Sequence, residues 1–585
     1  MKLLGLTKNK DILFVQAFLL LKKRGINIDS ISYIRVDNIE GELPFIKWWE
    51  GQNVRIDIKP LQSCGMIYSE EDNIFLENEI YNWYINQIDT AGPIFLFTAG
   101  GHTISNLIMQ RCGFLFGAED VFHMLVNIER GKEPTTIEAV MDGISMGKIL
   151  YISLGTEAGW PIFKNLDLPP DISSFVRQVS TNITNRRIED INEFPFECIN
   201  LLPQQTIQWL QSSLTEDDKN FVLDLPKIEL HCHLGGFAVG GEILDQVRAA
   251  ADESFELGPI KDIKFPDAWP MPSQAIGLNP YRNLGDNSGS YILKNKGCLV
   301  AQIKSLYEHL LNQNIRYAEI RCSPYNYTTD IMDVREVLKT ITDTFDGLML
   351  QYSIDGKIMC HVNLLLIGTR NTPGDNRSID NHIDLAIQHE TNSDELGKCR
   401  IVGLDLAGFE DVTTRASYYI TQFDKAHRKG IALTVHAGEN DEAEGIWQAV
   451  FKLNTRRIGH GLNLKEDPQL IRSVANRKIG VEMCPFANYQ IIGFHPMKDN
   501  IIRYPLLDYL NAGIQVTVNT DNIGISDASL SDNFMLLTKL TPGITRMNIL
   551  QIIRNGIEQA FIDVNVKDSL IKRFNREIFK RLNAV

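Results

Sequence analysis

The sequence predicts an α/β protein in two parts: a doubly wound N-terminal layout followed by a (β/α)8 barrel. Three observations carry this reading. Eight short apolar segments recur beyond residue 226 with helical patterns between them, which is the alternation of a parallel barrel. Polar and ionisable residues collect at the C-terminal ends of those segments, the face where barrels of this kind keep their sites. The first 130 residues repeat a strand, helix, strand order of their own.

Taken in order, KLLGL at the start reads as a strand, residues 11–23 as a helix, and ISYIRV (31–36) as a second strand. PIFLFTAGG (93–101) is a buried strand that runs straight into a helical HTISNLIMQ. Residues 186–222 are more polar and read as a helical connector, so the domains are placed at 1–185, 186–222 and 223–585. The barrel strands are expected in KIELHCHL (227–234), IRYAEIRCS (315–323), IMCHVNLLLIG (358–368), IVGLDLAG (401–408), IALTVHAG (431–438), RRIGHG (456–461), IGVEMCP (479–485) and IQVTVNTDN (514–522).

Composition narrows the function. At 585 residues the chain exceeds one ordinary core. A net charge of −15 argues against a broad face for DNA or RNA duplexes, which needs clustered Lys and Arg, but leaves room for a small nucleotide. Nine cysteines, an odd number with no C-x-x-C pair, read as free buried thiols in a reducing compartment. The apolar run from Ile12 to Leu21 ends on Lys22-Lys23-Arg24 with no small-residue cleavage site, so it reads as an amphipathic helix. No stretch reaches the roughly 18 apolar residues of a membrane span. A cytoplasmic location with no membrane partner is the expectation.

Two histidines at i and i+2 of a strand share a face about 6.7 Å apart, so His231 and His233 can turn toward one cation. Alone, H-x-H fits a hydrogen-bonded core equally well. His436, His460 and Asp521 fall at the ends of the fifth, sixth and eighth segments and converge on the same barrel mouth. Imidazoles plus a carboxylate make a ligand set suited to a divalent metal.

PKIELHCHLGG, VGLDLAGFE, LTVHAGEN, RIGHG, EMCP and NTDN, in this order over roughly residues 224–585, resemble the adenosine deaminase family of metal-dependent hydrolases. The resemblance implies zinc held by His231, His233, His436 and Asp521. It also implies that Glu439 gives a proton to purine N1, His460 orients and helps deprotonate the attacking water, and the Gly408 amide faces N3.

Two departures bear on the substrate. Where the family has HLDG, this chain has His233-Leu234-Gly235-Gly236, without the aspartate expected to meet a ribose 5′-hydroxyl. A carboxylate there would repel a phosphate, whereas Gly235 and Gly236 are expected to leave room and offer amides, so ATP is the first candidate and AMP or adenosine the alternatives. Asn522 stands where the family has a second aspartate; its amide donates at any pH. The Pro- and Gly-rich insert 255–290 reads as a lid, with Lys261, Lys264 or Arg282 in reach of a polyphosphate or merely solvated.

FLFTAGGHTISNL, a strand, two glycines and a helix start, resembles the CRISPR-associated Rossmann-fold sensor domain over about residues 1–185. That resemblance implies a cyclic oligoadenylate effector bound across a homodimer, with Gly100, Gly101, His102 and Thr103, together with Thr7 and Asn9, as its contacts. The usual G-G-T-K lysine is absent. The implied protein is an effector-gated zinc deaminase converting ATP to ITP and ammonia in antiviral defence; a catalytically quiet nucleotide sensor or scaffold is the reading from another class.

Overall fold

The computed structural model describes residues 1–7, 10–35, 45–61, 69–88, 92–98, 103–128, 133–157, 168–188, 194–252, 276–282, 289–370, 373–389, 397–493 and 504–583. The chain divides into two compact units, Met1–Asn192 with Asn200–Leu202, and Glu193–Ile199 with Pro203–Val585.

The first unit is built on a six-stranded sheet: β1 (Lys2–Thr7), β2 (Ser30–Arg35), β3 (Arg55–Pro60), β4 (Ile94–Phe97), β5 (Ala118–Val126) and β6 (Ile149–Glu157), in the order β3-β2-β1-β4-β5-β6. The first five run parallel, and β6 is antiparallel to β5. The strand order turns back between β1 and β4, as in doubly wound sheets. Leu3, Leu4 and Leu6 of β1 are all buried, the continuous apolar run of a strand covered on both faces. Helix Ile12–Lys23 seats Phe14 on Tyr33 with ring centroids 4.1 Å apart. The sequence reading has no counterpart for β3, β5 or β6; β3 lies at the sheet edge, and its RIDIKP carries a charge at every second position, Arg55, Asp57 and Lys59.

The second unit is an eight-stranded parallel sheet with neighbours in chain order: β7 (Lys227–His233), β8 (Ile315–Cys322), β9 (His361–Thr369), β10 (Ile401–Ala407), β11 (Ala432–Ala437), β12 (Arg457–His460), β13 (Gly480–Met483) and β14 (Gln515–Val518). Seven fall inside the segments read from sequence, and β9 runs one residue past its segment, to Thr369. The barrel closes just beyond β14: the Asp521 N–H donates to the His231 carbonyl at 2.7 Å, and the His233 N–H donates to the Asp521 carbonyl at 2.8 Å.

Residues 203–222, read from sequence as a connector, belong to the barrel unit. Arg546 pairs with Asp218 at 2.7 Å and lies over the Trp209 ring at 4.6 Å, and the Leu214 N–H donates to the Ile544 carbonyl at 2.8 Å. The polar outer face of this stretch hides a few anchoring side chains, Trp209, Leu210 and Phe221, from a compositional reading. Cys64 lies outside the described residues, and the eight described cysteines are free and buried. No described helix is long and apolar enough to cross a membrane.

Candidate active site

The carboxyl ends of β7, β11 and β12 and the turn after β14 bring four histidines and one aspartate together. The ligand atoms of His231, His233 and His436 all lie within 4.8 Å of one another. Asp521 faces them, with Oδ1 3.4 Å from His233 Nε2 and 3.9 Å from His231 Nε2. His460 stands beside the trio, its ring centroid 4.9 Å from that of His231 and 5.1 Å from that of His436.

Two imidazoles are oriented from behind. His231 Nδ1 lies 2.9 Å from Glu482 Oε2, and His436 Nδ1 lies 3.0 Å from Asp405 Oδ1. A carboxylate behind Nδ1 keeps the proton there and turns the Nε2 lone pair forward, the usual support for a metal-binding histidine. His231 Nε2 is buried and makes no hydrogen bond within the protein. Such a buried lone pair is costly unless something occupies it, so the donor set fits a divalent cation.

The electrostatics favour the same arrangement. Burial first, then the Arg321 cation and the neighbouring imidazoles, hold His231 well below the usual histidine range. Burial, His436 and Arg321 do the same to His233 and His460. Neutral imidazoles offer the lone pairs that coordination needs. Burial alone would raise Asp405, but His436 and Arg321 beside it hold its carboxyl well below the carboxylate range.

Beneath the histidines runs a fully buried ionic network. Arg321 pairs with Asp405 at 2.9 Å and with Glu482; Arg457 pairs with Glu482 at 2.5 Å and with Glu319 at 2.6 Å. Arg457 on β12 and Glu319 on β8 are not neighbours in the sheet, so this contact spans the barrel interior. Fixed charges of both signs hold the Nδ1 acceptors in place, and each is satisfied by a partner, as buried charge requires.

Glu439 follows β11 on a loop that is pinned from below. The Glu410 carboxylate accepts from the Gly438 N–H, from the Glu439 N–H at 3.1 Å and from the Asn440 N–H at 2.9 Å. The Glu439 side chain is itself buried, with Oε1 3.3 Å from His460 Nδ1 and 3.4 Å from Asn488 Nδ2. Burial, and then the charges of Asp521 and Glu410, push its carboxyl well above the usual range. His460 and Asp521 both hold left-handed backbone, at φ 66° and 61°. For residues with a Cβ this is strained, and such strain is tolerated where surrounding structure fixes it.

The sequence of one protein family, adenosine deaminase, matches residues 226–577. The chain belongs to the adenosine deaminase family. An adenosine deaminase of Clostridium acetobutylicum is 29% identical over 359 residues, which cover 61% of this chain and 99% of that protein. One from Shewanella loihica is 27% identical over 359 residues, covering 59% and 97%. The solved structure of a zinc-bound amidohydrolase from Burkholderia ambifaria aligns with a TM-score of 0.50 at 19% identity, covering 64% of this chain and 95% of that one, and shows the shared fold.

Within the deaminase barrel, one pocket is lined by His233, His436, Glu439, His460, Asp521, Asn522 and Gly408, so the metal and catalytic expectations meet there. Its wall also includes Arg282, from helix Leu278–Arg282.

The expectation about the two glycines needs correction. A Cβ on Gly235 would lie 2.7 Å from the Ser290 hydroxyl, and one on Gly236 would lie 1.7 Å from Asn522 Oδ1. Ser290 and Asn522 therefore approach the glycines closely, and what room remains beside Gly235 is a small cavity of about 50 Å³ that Ser290, Arg321 and Asn326 also line. Asn522 also spends an amide N–H on Asp521 Oδ1 at 2.7 Å, so it buttresses the aspartate.

Of the effector expectations, Asn9, Gly100, Gly101 and His102 lie outside the described residues, as do Lys261, Lys264 and most of the 255–290 insert. Thr7 ends β1, buried, with its hydroxyl accepting from the Lys10 N–H at 3.0 Å. Thr103 opens helix Thr103–Phe116 and is exposed.

Sequence reasoning assigned no role to Asp405, Glu410, Glu482, Arg321 or Asn488. Each of the first four sits inside or beside a quoted segment (LDLAG, GFE, EMCP, IRYAEIRCS), and for Asp405, Glu482 and Arg321 the signal is available: a charged residue inside an apolar strand must have a partner.

Proposed function

We propose that this chain is a zinc-dependent deaminase of 6-aminopurine nucleotides, with ATP as first candidate substrate and ITP and ammonia as products. The observation that carries the deaminase reading is the buried Glu439 carboxyl, raised in pKa, facing one pocket with His460, Asp521 and two of the three clustered histidines, His233 and His436.

His231, His233, His436 and Asp521 would hold the ion. When bound, it supplies a Lewis acid that makes water a nucleophile near neutral pH. The chain's own residues supply the rest. His460, held by the Asn488 amide at 3.0 Å, takes a proton from the attacking water. Glu439, protonated because burial disfavours its anion, gives a proton to N1, so that negative charge does not build on the ring as oxygen bonds to C6. His460 then passes its proton to N6, the C6–N6 bond breaks with release of ammonia, and the C6 hydroxyl proton returns to Glu439, leaving the 6-oxopurine and both residues as they began. Glu439 and His460 thus have opposite tasks, matched to a carboxyl pushed up and an imidazole pushed down in pKa.

The nucleotide preference is supported by the absence of a carboxylate at Gly235. The names of the relatives favour a second reading, adenosine itself. The N-terminal unit is proposed as a sensor of cyclic oligoadenylate that works as a homodimer and switches the barrel on in type III CRISPR antiviral defence. The strand order of its sheet and the strand-glycine-glycine-helix sequence support that assignment.

Ammonia release from adenosine, AMP and ATP, each with and without cyclic tetra- and hexa-adenylate, tests all parts together. No ammonia from any of them under any condition removes the enzyme assignment. A rate indifferent to both rings removes the sensor assignment, and adenosine outpacing ATP throughout removes the nucleotide assignment.

A further inference from the structure

A Cβ on Gly289 would lie 1.7 Å from the Gly235 carbonyl, just as one on Gly235 would lie 2.7 Å from the Ser290 hydroxyl. Both glycines are therefore needed for the Gly289–Ser290 segment to lie against the turn that follows β7. The missing side chain at 235 admits Ser290, and a neutral hydroxyl stands where that side chain would have begun.

Ser290 lines the small cavity beside Gly235 together with Ser323 and Asn326, which follow β8, and Thr369, which ends β9. His233 and Ala407 line both this cavity and the pocket that holds Glu439, His460 and Asp521. A purine with C6 at the histidine cluster and N1 at Glu439 must place the rest of its molecule elsewhere. The shared wall leads into this cavity.

The wall is polar, and no carboxylate is among its described residues. Its one arginine, Arg321, is fully buried and already balanced by Asp405 at 2.9 Å and by Glu482. Recognition therefore falls to neutral groups, whose protons can be traced. Ser323 Oγ donates to the Ile367 carbonyl at 3.3 Å, and Thr369 Oγ1 donates to Ser378 Oγ at 2.8 Å, so both hydroxyls have spent their protons. The Ser290 hydroxyl and the Asn326 side-chain amide make no hydrogen bond among the described residues, and both keep donors to give. A phosphate oxygen uses both donors and has no proton to place. Hydrogen bonds to such an anion are about twice as strong as neutral ones. A volume of about 50 Å³ has room for one tetrahedral group and not for a chain of three.

We propose that this cavity is the subsite for the first phosphate of a 6-aminopurine 5′-nucleotide, held by the Ser290 hydroxyl and the Asn326 amide. This rests on the deaminase reading above and adds to it which phosphate is read, the one that AMP and ATP share and adenosine lacks.

The test compares wild-type, Ser290→Ala, Ser290→Asp and Asn326→Ala full-length protein on adenosine, AMP and ATP, with cyclic tetra- or hexa-adenylate present. Ser290→Ala is expected to lower kcat/KM for AMP and for ATP alike, by about 10- to 100-fold relative to adenosine, the range of one hydrogen bond to a charged group. The loss should appear mainly in KM, because the contact is the same in substrate and transition state. Ser290→Asp sets an anion against the phosphate and should lower both nucleotides further while sparing adenosine. Asn326→Ala, at an exposed position away from the tight packing at Gly235, should repeat the pattern of Ser290→Ala. A nucleotide-to-adenosine ratio unchanged in both alanine variants overturns the proposal, whether all substrates fall together or none does. So does a loss for ATP that spares AMP, or a wild type that acts on adenosine alone. Should the wild type release no ammonia from any substrate, the deaminase reading fails separately. Calorimetric titration of AMP into wild type and Ser290→Ala then decides the subsite, weaker binding by the variant supporting it and equal affinity counting against it.

Discussion

Glu482→Gln isolates the charge beneath the three histidines. The Glu482 carboxylate is fully buried and receives four donors: Thr434 Oγ1 at 3.0 Å and Arg457 Nε at 2.5 Å on one oxygen, His231 Nδ1 at 2.9 Å and Arg321 on the other. Glutamine keeps the volume, so no cavity term enters. It replaces one acceptor with an NH2, which then points at an arginine in either orientation. Removing one partner from a buried pair costs about 3–5 kcal/mol. Here Arg321 keeps Asp405 and Arg457 keeps Glu319, so the expected loss is at the low end, about 3 kcal/mol. The support of His231 is weakened as well, and such changes lower metal affinity by about 10- to 100-fold. Urea unfolding in the presence of chelator reads the first quantity, and competition for zinc against an indicator reads the second. A variant whose metal-free stability stays within about 0.5 kcal/mol of wild type and whose zinc affinity stays within about twofold would refute the reasoning.

Glu439→Gln should bind zinc as wild type does while losing at least about 100-fold in kcat; full activity would remove Glu439 as the proton donor. Gly236→Ala would place a Cβ 1.7 Å from Asn522 Oδ1 and should displace the Asn522–Asp521 pair, seen as weaker zinc binding and lower activity; unchanged zinc affinity would speak against that coupling. His309, His361 and His382 are each lowered to about 4 by burial, from 6.5. Because their folded pKa lies below the unfolded one, their stabilisation is whole above pH 6.5 and is lost as pH falls toward 4, each at up to about 1.4 kcal/mol per pH unit. His382→Gln should flatten that slope, and an equal slope would contradict the assignment. Stripping metal with a chelator should lower the unfolding free energy reversibly, by about 2.7 kcal/mol if zinc was present at 100 times its Kd, read as a fall in the urea midpoint; no shift would deny a resident ion.

The barrel was legible because its strands are short apolar runs with unlike ends. KIELHCHL, LTVHAGE and RIGHG each pair a buried stretch with ionisable residues at its carboxyl end, and that asymmetry locates both the strand and the face of the site. The supports were not read, because an isolated charge in a strand has no address in sequence. Glu482 lies 251 positions from His231, and only the closed barrel brings its Oε2 to Nδ1. The two glycines illustrate the opposite error. An absent side chain was read as absent matter, but packing closes in on what sequence vacates, and Ser290 and Asn522 approach the places in question. The edge strand Arg55–Pro60 escaped because half its residues face water and carry no apolar signal.

The closing bridge between His231 and Asp521 also governs when the site can exist. Thr520 and Glu229, hydrogen-bonded at 2.9 Å, are 291 positions apart, so the seam is made by the most distant strands of the barrel. On a translating ribosome β7 emerges first and must wait for nearly the whole barrel before it has its second neighbour. During that interval it carries two histidines on an open edge, and open edges invite wrong pairing. A nascent chain halted before residue 519 would lack both the seam and one of the proposed ligands. Deaminase competence therefore arrives last in folding, when the final strand docks, and a bound ion would act as the clasp that keeps the ring shut.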